Sequence, residues 1–103
     1  MEPIKFMEDL CNNVVRLCDP WYIYAVSKKN DTSGNLISLK LVVIVDDGLP
    51  TANEEKRLLV KIDTPIPVDF ICYNISDWND YAQEDFSFAY RVENGGERLY
   101  VKG

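Results

Sequence analysis

The sequence predicts a single α/β (α+β) domain in which a small mixed β-sheet of about four strands is flanked by helices. Three observations support this fold class: an amphipathic stripe near the start of the chain, one nearly continuous apolar run in its middle, and an alternation of strand-like and helix-like segments. A length of 103 residues with 47% hydrophobic content fits one folded domain over residues 1–103. No repeat, low-complexity tract or linker divides the sequence.

The first predicted helix runs from Pro3 to about Asp19. Its apolar residues recur at spacings of three and four, which places them on one face of a helix: Ile4, Met7, Leu10, Cys11, Val14, Leu17 and Cys18. Pro20 ends this helix, because its ring disfavours helical geometry in the residue before it. A first strand rich in aromatic and β-branched residues is then predicted over residues 21–26.

The strongest strand signal covers residues 36–45, whose nearly continuous apolar run favours a central strand covered on both faces. The polar residues 29–35 before it predict a loop or a long hairpin. Acidic residues that precede basic ones predict a short helix over residues 52–62. The remaining predicted elements are a third strand at 68–73, one or two short helices across 77–93, a turn at Gly95-Gly96 and a terminal strand at 98–101.

Charge, hydropathy and cysteine content disfavour several classes of function. The chain carries 17 acidic and 11 basic residues, and a net charge of -6 disfavours general nucleic-acid binding. No apolar run could span a membrane and no secretory signal is recognisable, so we expect a cytoplasmic protein without membrane contact. Cys11, Cys18 and Cys72 fit buried reduced thiols better than a disulfide framework. Without any histidine, Ser-His-Asp and Cys-His catalysis is excluded.

Four short segments carry a resemblance to a known family: Tyr24-Ala25-Val26-Ser27-Lys28, Ser38-Leu39-Lys40-Leu41-Val42-Val43, Val68-Asp69-Phe70-Ile71 and Gly96-Glu97-Arg98-Leu99-Tyr100. Their order and spacing resemble small nucleotidyltransferases of the superfamily that includes DNA polymerase beta and bacterial minimal nucleotidyltransferases. In that family a first strand ends in Gly-Ser, a second begins with Asp-x-Asp, a later strand carries a third Asp, and a glycine and an apolar-Tyr ending commonly close the domain. The resemblance implies a nucleotidyltransferase-like fold over nearly the whole chain.

Two departures from the family imply that its metal chemistry is lost. Ser38 and Lys40 stand where the family carries two metal-binding aspartates, and residues two apart on a strand face the same side. A hydroxyl and an ammonium therefore replace the carboxylates that would bind Mg²⁺. Val26 replaces the glycine before Ser27 that lets the backbone approach a phosphate. Asp69 alone matches a family carboxylate, so we expect no catalytic residue, no metal ligand and no resident cofactor.

Lys40 has two interpretations. It could bind a phosphate together with Lys28, or it could form a salt bridge with Asp69 and fill the pocket, which we favour because a buried unpaired carboxylate is costly. Both require Lys40 and Asp69 to approach each other across neighbouring strands. The first leads to an alternative function, a divergent nucleotidyltransferase or nucleotide-binding domain that uses Ser27 and these residues with Mg²⁺ and a nucleoside triphosphate.

The function we expect is that of a catalytically inactive nucleotidyltransferase-like domain acting as a protein interaction or regulatory module. The resemblance permits an antitoxin-like role beside a helical toxin-like partner, or self-association into a homo-oligomer. Most aromatic side chains should lie in the core. Four of them could instead leave an exposed patch that docks another protein or a second copy of the chain: Trp78, Tyr81, Phe86 and Tyr90.

Overall fold

The computed structural model describes residues 3–103, which form four helices and four strands; Met1 and Glu2 of the predicted domain lie outside them. The elements are α1 (Pro3–Cys18), β1 (Tyr22–Asn30), β2 (Leu36–Val45), α2 (Thr51–Lys61), β3 (Val68–Asn74), α3 (Ile75–Ala82), α4 (Phe88–Gly95) and β4 (Glu97–Val101). The strand order is β3-β2-β1-β4, with β1 antiparallel to β2 and β4 and with β2 parallel to β3. The predicted mixed sheet of about four strands flanked by helices is confirmed.

The first strand extends further than predicted. β1 continues to Asn30 instead of ending at Val26, because its last residues pair antiparallel with β2. The turn between the two strands is only five residues long. In this turn, the Asp31 carboxylate accepts hydrogen bonds from the backbone N–H groups of Ser33 and Asn35, each at 2.9 Å. Such bonds from a side chain to nearby backbone stabilise a tight connection between paired strands.

β2 lies between two apolar layers. Its last five residues, 41–45, have no exposed side-chain surface. One face of the sheet packs against α1 and α2, which contribute Val14 and Leu58 among others. The opposite face packs against α3 and α4, which contribute Trp78 and Val92. The two pairs of helices therefore lie on opposite faces of the sheet.

Glu93 connects α4 to the aromatic layer beneath it. Its Oε1 atom accepts a hydrogen bond from the Tyr24 hydroxyl at 2.5 Å and another from Trp78 Nε1 at 2.6 Å. The Trp78 ring also lies against Tyr24 and Tyr73, with centroid distances of 5.8 and 5.1 Å. Burial raises the pKa of the Tyr24 hydroxyl, and the hydrogen bond to Glu93 raises it further. One carboxylate thus satisfies the polar atoms of two buried aromatic side chains.

All three cysteines are free thiols. Cys18 and Cys72 are buried and Cys11 is half-buried. Burial raises the pKa of Cys11 to about 11 and that of Cys72 to about 12. Burial also raises the pKa of Cys18 to about 12, with a further contribution from its hydrogen bond to Glu54 Oε2 at 3.1 Å. These thiols stay protonated and unreactive at neutral pH.

The buried thiols predict a loss of stability in alkali. In the unfolded chain a thiol ionises near pH 8.5, whereas Cys18 and Cys72 keep their protons in the folded state until about pH 12. The unfolded state therefore binds fewer protons, and each thiol lowers the free energy of unfolding by about 1.4 kcal/mol per pH unit. Replacing both by Ala should make this slope shallower by about 3 kcal/mol per pH unit between about pH 9 and pH 11.

Urea denaturation at successive pH values measures this slope. Val14→Ala is the matched control, because it lowers stability through a core cavity without removing a titrating group. Equal slopes in the wild-type protein and the double cysteine variant would contradict the prediction.

Candidate functional site

An extra residue in β1 determines which side chains reach the candidate site. Ala25 lies opposite Leu41 and Ser27 lies opposite Lys40, so Val26 between them has no partner in β2. A β-bulge of this kind shifts every later side chain of the strand by one position. Ser27 therefore shares a face of the sheet with Lys40.

Four of the five positions that the sequence identified line one groove of about 180 Å³: Ser27, Ser38, Lys40 and Asp69. Lys29, Leu39 and Pro67 complete its walls. The fifth position, Val26, instead packs against the aromatic layer. The strand pairing explains the grouping, because Lys29 lies opposite Ser38 in the hairpin and Lys40 lies opposite Asp69 in the parallel pair.

Lys40 and Asp69 are direct neighbours across β2 and β3, as the sequence predicted. The structure does not contain the salt bridge that we favoured between them. The ion pairs with an N–O distance within 4.0 Å in the described part of the chain are Lys28–Glu97, Arg57–Glu54 and Lys102–Asp19. Asp69 is exposed and Lys40 is half-buried, so water solvates both charges and no buried carboxylate requires neutralisation.

Lys28, the other possible phosphate contact, does not line this groove. Lys28 is paired with Leu39, whose side chain faces the layer of α1 and α2. The Lys28 ammonium forms an ion pair with Glu97 at 2.5 Å. Lys29 lines the groove in its place. The cause is the bulge, since a regular strand would have put Lys28 opposite Ser38.

The groove offers two ammonium groups, two hydroxyls and one carboxylate. Divalent cations require several oxygen ligands, and here Asp69 supplies the single carboxylate beside Lys29 and Lys40, which repel a cation. Within residues 3–103, no cluster of three or more His, Cys, Asp or Glu side chains could hold a metal ion. The same donor set suits a small anion better, because lysines act as point charges and hydroxyls donate hydrogen bonds.

The four aromatic residues that could have formed one exposed patch differ in their exposure. Trp78 is fully buried and Tyr81 and Tyr90 are half-buried, whereas Phe86 is 83% exposed. Phe86 also has a φ of 63°, in the left-handed region that bulky residues rarely adopt. Such a conformation costs on the order of 1–3 kcal/mol and is concentrated at functional sites. The sequence did not distinguish Phe86 from Trp78, since both are large aromatic residues; the structure separates them by exposure and by the backbone conformation of Phe86.

The segment that contains Phe86 is strongly acidic. Residues 75–95, which contain α3, α4 and their connection, carry five acidic side chains and one basic side chain. This segment therefore accounts for a net charge of -4 out of the -6 of the chain. Asp80, Glu84 and Asp85 are exposed, as Phe86 is. We call this exposed group of four residues the Phe86 knob.

Comparisons with known proteins returned no relative. No protein-family model matches the chain, and no curated protein or solved structure matches it either. The resemblance to nucleotidyltransferases continues to rest on the four sequence segments quoted above. No helix within the described residues is long and apolar enough to cross a membrane.

Lys40 and Asp69 should contribute almost no coupling energy to stability. We expect a double-mutant cycle of Lys40→Met and Asp69→Asn to give a coupling within about 0.5 kcal/mol of zero, because both charges are solvated. The same cycle on Arg57 and Glu54 is the positive control, since this pair is 3.1 Å apart and Glu54 is buried. Urea denaturation measures both cycles. A Lys40–Asp69 coupling above about 1 kcal/mol would indicate that the salt bridge forms in solution.

Proposed function

We propose that this chain is a catalytically inactive nucleotidyltransferase-like domain that acts by binding another protein through the Phe86 knob. The observation that carries the proposal is Phe86 itself, a large aromatic side chain that is 83% exposed in a left-handed backbone conformation. Gly or Asn would adopt this conformation at lower cost, and aromatic side chains are usually buried. A rigid aromatic ring held in solvent is well suited to anchor a protein interface.

The side chains of the groove support the absence of nucleotidyl transfer. The transfer of a nucleotide by this family requires carboxylates that hold Mg²⁺ against the phosphates. Ser38 and Lys40 point into the same groove as Asp69, so one carboxylate faces a hydroxyl and a cation. This combination does not bind a divalent ion well, and such an ion stabilises the leaving oxygen in nucleotidyl transfer.

The charges of the knob specify the chemistry of the partner. Asp80, Glu84 and Asp85 are exposed in the same short segment as Phe86, so a partner with an apolar pocket and a basic rim would complement it. The aromatic anchor would supply most of the binding free energy, and the charges would speed association and exclude acidic surfaces. A regulatory role, including an antitoxin-like one, requires only such binding and no catalysis.

Phe86→Asn should abolish partner binding without unfolding the domain, because Asn tolerates the left-handed conformation. We expect at least a roughly tenfold loss of the co-purified partner when tagged wild-type and variant chains are recovered from the organism that encodes them. Ile37→Thr is the matched control, since Ile37 is 47% exposed on β2, outside the knob, and its loss should leave capture unchanged. Quantitative mass spectrometry measures the recovery. A partner that both variants retain equally would refute the knob as its binding site.

Phosphate binding is a second candidate function, which the groove specifically favours. Lys29 and Lys40, with the hydroxyls of Ser27 and Ser38, could hold the phosphate of a nucleotide as a purely electrostatic site. Thermal unfolding with ATP, GTP, CTP or inorganic phosphate tests it, because a ligand of the folded state raises the Tm. A rise that disappears in Lys29→Met/Lys40→Met would establish this candidate. A rise that requires Mg²⁺ would overturn the proposed loss of metal chemistry.

A further inference from the structure

Five polar side chains of the groove beside the first half of β2 are not bonded to other parts of the protein. They all line the groove of about 180 Å³: Ser27, Lys29, Ser38, Lys40 and Asp69. None of them takes part in the ion pairs or side-chain hydrogen bonds found within residues 3–103. Their hydrogen-bonding capacity converges on one groove and is available to a ligand.

The groove carries charges of both signs. Lys40 and Asp69 are direct neighbours in the parallel pair of β2 and β3, and Lys29 lies opposite Ser38 in the hairpin. A simple anion such as phosphate is attracted by the two ammonium groups and repelled by the Asp69 carboxylate. A ligand that carries an anionic and a cationic group instead satisfies all three charges.

The spacing of adjacent strands limits how far apart the two charges of such a ligand lie. Neighbouring strands are about 4.8 Å apart, so Lys40 and Asp69 project their charged groups from backbone positions with about that separation. The ammonium and the carboxylate of an α-amino acid are attached to the same carbon atom. One such molecule can therefore place its carboxylate against Lys40 and its ammonium against Asp69 at the same time.

A larger groove continues from the same two residues. It has a volume of about 490 Å³, and Lys40 and Asp69 line it together with the apolar side chains of Leu59, Phe70 and Ile71. Leu59 is 62% exposed, so an apolar ligand group that covered it would remove apolar surface from water. The groove is large enough for the side chain of leucine or phenylalanine.

The charges that α2 adds to the larger groove favour neither sign. Glu55 and Lys56 contribute one carboxylate and one ammonium. The Glu55 carboxylate already accepts a hydrogen bond at 2.8 Å from the backbone N–H of Cys72. The apolar walls are therefore the feature of this groove that selects a ligand, and they select an apolar group.

We propose that the two grooves together bind a free α-amino acid with a large apolar side chain. Its carboxylate lies against Lys29 and Lys40 and accepts hydrogen bonds from the two serine hydroxyls, and its ammonium lies against Asp69. Its side chain occupies the larger groove beside Leu59 and Ile71. The smaller groove thus holds a carboxylate in place of the phosphate considered above. The inference does not depend on the Phe86 knob, which is a different surface.

Four related compounds test which groups of the ligand are recognised. The shifts of backbone amide resonances of the ¹⁵N-labelled chain measure binding of L-leucine and L-phenylalanine, and we expect at least one of them to bind. N-acetyl-L-leucine lacks the ammonium and L-leucine amide lacks the carboxylate, so each should bind about tenfold more weakly than L-leucine or not at all. If phenylalanine is the ligand that binds, its N-acetyl and amide derivatives take their place.

Asp69→Asn tests the role of the carboxylate in the protein. We expect this variant to bind the amino acid about tenfold more weakly, because its ammonium loses a charged partner, and to bind inorganic phosphate no less well than the wild-type protein. Asp63→Asn is the matched control, since Asp63 is also exposed and lies outside both grooves. It should bind the amino acid as the wild-type protein does, and thermal unfolding should show that both variants are folded.

Three results would overturn the inference. They are the absence of shifts at about 10 mM of either amino acid, equal binding of the N-acetyl derivative, and equal losses of affinity in Asp69→Asn and Asp63→Asn. Binding of inorganic phosphate but of neither amino acid would also overturn it, and would favour the phosphate site instead. Phe86-dependent capture of a protein partner is measured separately, so neither proposal fails because the other does.

Discussion

The burial of β2 on both faces is the constraint on which the rest of the structure depends. Residues 41–45 expose no side-chain surface, so an apolar layer must cover each face of the central strand. α1 and α2 provide one layer and α3 and α4 provide the other. The groove lies beside the first half of β2, where Ser38 and Lys40 precede this fully buried stretch. The outer surfaces of these two pairs of helices therefore lie on opposite sides of the sheet.

Much of the fold could be predicted because apolar patterns report burial directly. The central strand was predicted over residues 36–45, the bounds that the structure has, because a run of large apolar residues can be satisfied only between two layers. The bulge at Val26 could not be predicted in this way. An unpaired valine in a strand has the same composition as a paired one, and its effect is visible only in the register. That single residue brings Lys29 rather than Lys28 to the groove.

The exposed apolar side chains of Phe86 and of the outer face of α2 differ in how far the sequence indicates them. Sequence alone gives Phe86 and Trp78 the same expectation of burial, whereas in the structure Trp78 is fully buried and Phe86 is exposed in a left-handed backbone conformation. The exposure of apolar residues on α2 follows from their order in the chain. Leu58, Leu59 and Val60 are consecutive apolar residues, so a helix must turn at least one of them outward. The helical phase that turns two of them outward is set by how Leu58 packs in the core.

The hydrogen bond from the backbone N–H of Cys72 to Glu55 occupies a donor at an edge of the sheet. An edge strand with free N–H groups is a template for another chain, and β3 is such an edge. The helix that connects β2 to β3 also carries the carboxylate that occupies one N–H group of this edge. A strand that paired at this N–H group would have to displace the Glu55 carboxylate, which belongs to the same crossover that brings β3 beside β2.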